Sequence, residues 1–160
     1  MALLISAAPA LGDGSCRLCY GSEGARPGER PLTLEISADL NFSRLALTGN
    51  GSGSAELDPN GSGKRTTGGM IDLGGMAVQG AGRITGEPLR EVHVDLPSTV
   101  AMTAPDGSPA ELTGFVTDLP QRPVLDSAGN LEFRFGARLV VHGSQGGNYR
   151  GRIPITVDYN

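Results

Sequence analysis

Leu131-Glu-Phe-Arg-Phe-Gly-Ala-Arg-Leu-Val-Val141 sets Leu131, Phe133, Phe135, Ala137, Leu139 and Val141 at every second position, with Glu132, Arg134 and Arg138 between them. Successive side chains of an extended chain point to opposite faces. The stretch therefore reads as a long, half-buried β-strand with one apolar and one charged face. Ser127-Ala-Gly-Asn130 supplies the turn before it. The last residues repeat the pattern: Ile153, Ile155, Val157 and Tyr159 alternate with Arg152, Pro154, Thr156 and Asp158. Pro154 has no N–H to give to a ladder, so this closing strand belongs at a sheet edge.

The rest of the chain follows in the same key. Leu32, Leu34 and Ile36 alternate with Thr33, Glu35 and Ser37, and Leu40-Asn-Phe-Ser-Arg-Leu-Ala-Leu47 reads as a second strand with Phe42 and Leu45 in the core. Residues 48–53 read as a flexible loop and Ala55–Asp58 as a short strand. Pro59-Asn-Gly-Ser-Gly63 reads as a hairpin turn in which Asn60-Gly61 supplies positive φ. Further strands fit near 65–72, 76–85, 90–96, 98–103 and 111–118. With 25 Gly and 11 Pro in 160 residues, no 3.6-residue period survives long enough for a helix bundle or a parallel α/β sheet. About nine or ten short strands without intervening helices predict an antiparallel β-sandwich, with a closed barrel as the alternative. The length fits one domain.

A formal net charge of −4 and scattered arginines give no basic stripe, which argues against nucleic-acid binding. No stretch reaches the ~18 apolar residues of a membrane-spanning helix. Residues 1–10 are small and apolar, and Ala8-Pro9-Ala10 fits a signal-peptidase site, so 1–10 reads as the remnant of a signal peptide and the protein as exported. Residues 11–31 are a flexible Gly/Ser/Pro/Arg segment, and 32–160 form the domain. Cys16 and Cys19 stand two apart in that segment. A redox pair would follow a strand and open a helix, and a zinc site would need two further ligands, so a local disulfide is the expected state.

No catalytic constellation emerges. Gly61-Ser-Gly-Lys64 fails the phosphate-loop pattern at Asp58 and Arg65. Gly80-Ala-Gly-Arg-Ile-Thr-Gly86 is one residue too long for a dinucleotide fingerprint. Asp58, Asn60, Ser62 and Gly63 match the front of a calcium loop, but Gly69 stands where the bidentate Glu belongs. His93 sits between Val92 and Val94 and so points outward, and His142 ends a strand. The rings left for display are Tyr20 and Tyr149. No metal, no cofactor and no enzymatic activity are expected.

Several stretches together resemble an exported bacterial family, domain of unknown function 4402. They are Leu32–Ser37 with Leu40–Leu45, Ala55–Gly61, Gly68–Gly75, Arg83–Pro88, Val94–Pro97 and Tyr149–Asn160, in that order. The family has no established catalytic residues to transfer. The closing segment is also similar to the C-terminal strand of chaperone–usher pilins and of spore-coat protein U-like domains, with Gly147 upstream and Tyr159 penultimate. That likeness implies an immunoglobulin-like sandwich that lacks one strand and receives it from a periplasmic chaperone or a neighbouring subunit. It makes Ile153, Ile155, Val157 and Tyr159 the partner-binding strand of a fimbria-like or cell-surface subunit. The plainer reading makes the same four residues ordinary core. Residues 11–30 lack the apolar alternation of a donor extension, so Leu32–Ile36 is either a donor or the domain's own first strand. The alternative function is a monomeric extracellular module that binds carbohydrate or a calcium-dependent ligand.

Overall fold

A computed structural model describes residues 27–49, 51–61, 63–104, 107–143, 149 and 152–160. Residues 1–10, Cys16, Cys19, Tyr20 and Gly147 lie outside the described residues. Eleven strands and no helix occur among the described residues: β1 (Thr33–Ala38), β2 (Leu45–Leu47), β3 (Ser52–Leu57), β4 (Lys64–Gly68), β5 (Met70–Asp72), β6 (Gly80–Thr85), β7 (Val92–Asp95), β8 (Thr99–Thr103), β9 (Pro109–Thr117), β10 (Asn130–His142) and β11 (Thr156–Tyr159). Every pairing is antiparallel. The protein is all-β and antiparallel, as the alternation predicts.

The strand that decides the fold from sequence also organises it in space. One edge of β10 carries β9 along residues 135–141. The opposite edge is shared in succession by β6, along 130–135, and β3, along 138–142. Outside these lie β1 on β6, β4 on β3 and β8 on β9, which makes seven strands in one curled sheet. The fork between β6 and β3 falls at Gly136. A Cβ there would stand 1.9 Å from the main-chain oxygen of Leu57, so only glycine lets the end of β3 approach.

Two small sheets, β2–β5 and β7–β11, cover the inner face instead of a second full sheet. They divide the core. Leu47 of β2 and Met70 of β5 pack with Ala55, Val100, Leu112, Leu139 and Val141. Val92 of β7 and Tyr159 of β11 pack with Ile84, Leu125, Phe133 and Phe135. Leu40 and Ile153 touch both clusters.

The glycines of Gly80-Ala-Gly-Arg-Ile-Thr-Gly86 now have a physical reason. Gly80 lies opposite Phe135 and Gly82 opposite Phe133. A Cβ on either would run into the facing ring, and one on Gly86 would meet the Tyr159 hydroxyl oxygen at 2.5 Å. Three glycines thus make room for three buried aromatic side chains.

Several boundaries differ from the sequence reading. Only Leu45–Leu47 of the 40–47 stretch is strand, because Ser43 sits at φ 59 and interrupts it. Residues 48–53 are not all loop: β3 begins at Ser52, and Gly53 packs so tightly that a Cβ would be 2.6 Å from Met70 N. The 65–72 stretch is two strands parted at Gly69. In the 58–63 turn the positive φ belongs to Gly63 (φ 125), not to Asn60-Gly61. The closing strand is shorter than expected: Ile153 and Ile155 precede β11. Tyr149 is half-buried against the core, not on display.

Candidate strand-addition site

The Asn160 N–H donates to Glu91 O at 3.1 Å, which fixes the phase of the β11–β7 ladder. Hydrogen-bonded pairs alternate along an antiparallel ladder, so Asp158–His93 and Thr156–Asp95 are bonded pairs as well. The main-chain groups of Val157 and Tyr159 therefore point away from β7. Among the described residues no strand lies on that side. The edge expected from Pro154 is present, and it is a short one.

The four residues marked from sequence are brought to one cluster. Tyr159 is 5% exposed, and Ile153, Ile155 and Val157 pack half-buried against the same core. Their side chains fill this chain's own interior, and the outward-facing groups are those of the backbone. Tyr159 is further held at its tip: its hydroxyl donates to Arg30 O at 2.5 Å and accepts from the Glu87 N–H at 2.7 Å. The Arg90 guanidinium lies 5.2 Å from the ring centroid, and its Nε is 2.7 Å from the Glu29 carboxylate. A cation over an aromatic face and an ion pair with Glu29 (side chain 5% exposed) anchor the end of β11. Sequence reasoning missed Glu29, Glu87 and Arg90, since nothing in their spacing ties them to residue 159.

Beside the start of β11 a cleft of about 710 Å³ opens between the 36–45 stretch and the residues that precede β11. Leu112, Phe135 and Leu139 form part of its floor and Ile153 and Ile155 one wall, with Tyr149 also lining it. Asp39, Asn41, Ser43 and Arg152 add polar groups.

Other candidates resolve into structure. The Asp58 carboxylate accepts the Asn60 N–H at 2.8 Å, a local turn, and the Gln79 side-chain amide donates to the main-chain oxygens of Asp58 and Gly61. No group of three or more His, Cys, Asp or Glu side chains is placed to hold a metal among the described residues. His93 is exposed opposite Asp158, and His142 is exposed at the end of β10.

A buried cation stands out instead. Lys64, with a side chain 3% exposed, donates from Nζ to Phe42 O at 3.2 Å, Arg44 O at 3.0 Å and Gly74 O at 3.2 Å, and lies 2.6 Å from Asp72 Oδ1. The Lys64 hydrogen bond, aided by the Gly74 N–H, holds the Asp72 carboxyl below the usual carboxylate range.

Residues 32–159 match the model of one protein family. The chain belongs to the family described as Domain of unknown function (DUF4402). The match covers all eleven strands seen among the described residues. No curated protein and no solved structure matches this chain.

Proposed function

We propose that this DUF4402 protein is an exported, non-enzymatic structural subunit of a bacterial surface or fimbria-like assembly, joined to a periplasmic chaperone or a neighbouring subunit by strand addition along β11. In this reading the fold is an immunoglobulin-like sandwich whose second layer is incomplete. The observation that carries it is the outer edge of β11, where Val157 and Tyr159 turn their main-chain groups away from β7 with no described strand beside them. An added strand gains main-chain hydrogen bonds along such an edge, and pockets for alternate side chains give it specificity. The cleft at Ile153 and Ile155 supplies room for such side chains.

The test is the mass in solution of the full chain, exported to a periplasm that holds the host's chaperones, compared with Val157→Pro. The Val157 N–H makes no bond to β7, so proline removes an outward donor and keeps the ladder. Oligomers or a chaperone complex for the native chain, and a monomer that still melts in one cooperative transition for Val157→Pro, are expected. A native chain that stays monomeric with its chaperones present contradicts the proposal. It would favour a second reading, a monomeric module that takes a carbohydrate in the same cleft, on the strength of Tyr149 and the polar groups of Asp39, Asn41 and Arg152 there.

A further inference from the structure

The N-terminal strap of the domain is bound to the rest of the chain much as a peptide ligand would be. Its strand, β1, pairs with β6 alone and is an edge of the large sheet. It is shallowly buried: no residue of β1 is fully buried and Ile36 is 41% exposed. Its register breaks between Ile36 and Ala38. At its start the strap enters a polar socket. Arg30 N–H donates to Glu87 Oε2 at 3.2 Å, Arg30 O accepts from the Tyr159 hydroxyl, and Glu29 pairs with Arg90. At its end Asn41 exchanges two main-chain bonds of 2.8 Å with Val78.

The connection to β2 is a strained hinge. Ser43 sits at φ 59, a left-handed conformation that costs a non-glycine residue, and Asn41 Oδ1 captures its N–H at 2.7 Å. Lys64 then bonds the carbonyls on both sides of it, Phe42 O and Arg44 O. The hinge is held shut by one buried ammonium group. A strained hinge next to a shallowly bound edge strand is the arrangement that permits exchange between copies, because the open chain relieves the strain and the same contacts re-form in trans.

We infer that residues 29–42 are an exchangeable strap, and that the partner fitting the β6 edge and the Glu87–Arg90–Tyr159 socket is the same strap from a second copy of this chain. This goes beyond the β11 reading: it uses the β6 edge and, of β11, only the Tyr159 side chain, not the outer main-chain edge. The bonds broken and formed are identical in kind, so exchange changes connectivity and leaves the fold as it is. Ser43 is the control point: a residue that relaxes in the left-handed region keeps the strap in cis, and one that cannot enter that region expels it.

The experiment traps the exchanged strand. In a Cys16→Ser, Cys19→Ser background, Thr33→Cys and Thr85→Cys are made in separate full-length chains. Both residues are exposed, and they are Cα partners across β1 and β6, a geometry a disulfide spans. The two chains are unfolded together, refolded at high concentration and oxidised. The expected result is a disulfide-linked dimer whose yield rises with Ser43→Pro and falls with Ser43→Gly. Val157→Pro leaves that yield unchanged. Absence of the dimer, or equal yields for the native hinge, Ser43→Gly and Ser43→Pro, overturns the inference. A yield that falls with Val157→Pro overturns it too, since the cross-link would then depend on strand addition at the outer edge of β11.

Discussion

Replacing Lys64 by Met is the sharpest single test of how the small β2–β5 sheet is held. Met keeps the length of the apolar stem and removes only the charge and its donors. Three main-chain oxygens lose their partner: Phe42 O, Arg44 O and Gly74 O, now at 3.0–3.2 Å from Nζ. At about 1 kcal/mol net for each hydrogen bond, and less where water can take over, the loss is about 2–3 kcal/mol. The Asp72 carboxylate is exposed and recovers water, so it adds nothing to this figure. For a domain of this size the loss corresponds to a fall of about 10 °C in Tm. Urea denaturation of native and Lys64→Met protein measures it, with an unchanged m-value showing that the surface exposed on unfolding is the same. A difference below about 0.5 kcal/mol, the range of ordinary surface changes, would refute the reasoning, because the ammonium would then have been no better placed inside than in water.

Gly136→Ala is expected to cost more than about 2 kcal/mol, because its Cβ would overlap a main-chain oxygen that cannot rotate away; Gly51→Ala, where a Cβ meets nothing within 4 Å and φ is not positive, is the comparison in the same melt. Tyr159→Phe removes a hydroxyl bonded to Arg30 O and Glu87 N and is expected to lower stability by about 1–2 kcal/mol in urea denaturation, with the ring packing retained. The folded-state pKa of Asp72 is depressed, so its contribution is present above the ordinary carboxylate pKa and is lost as the pH falls through the folded value. Stability measured from pH 6 downward is therefore expected to decline more steeply below about pH 4 in the native protein than in Asp72→Asn; equal slopes would remove Asp72 from the acid response.

The sequence was legible where one side-chain period ran unbroken. Phe133, Phe135, Ala137, Leu139 and Val141 are buried, and the alternation that marks them survives because the extra residue of the β9–β10 pairing sits in β9. There Gly114 takes φ 57 and shifts the inward phase from Ala110 and Leu112 to Phe115. A period count across 109–117 sees only a weak strand. Leu40–Leu47 failed for a similar reason: Asn41 captures the Ser43 N–H, a local side-chain bond that competes with the ladder. Gly53 misled in the opposite direction, since its lack of a side chain serves close packing against Met70 and not flexibility.

The candidate site was legible by half. Ile153, Ile155, Val157 and Tyr159 announce a strand with one apolar face, and Pro154 announces an edge. The socket that receives Tyr159 is assembled from Glu29, Arg30, Glu87 and Arg90, residues far apart in the chain that meet only once β1 has paired with β6. The Lys64 cage is equally silent in sequence, because three of its four partners are main-chain oxygens set by the path of the backbone.

The most direct measurement of the central claim is amide hydrogen exchange at Val157 and Tyr159, followed residue by residue in the free chain and after addition of the chaperone or at assembling concentration. Their N–H groups face the open edge, so the account predicts fast exchange in the free chain and strong protection in the complex, while Asp158, already bonded to β7, changes little. Unchanged exchange at Val157 and Tyr159 in a complex that has demonstrably formed would contradict strand addition at β11.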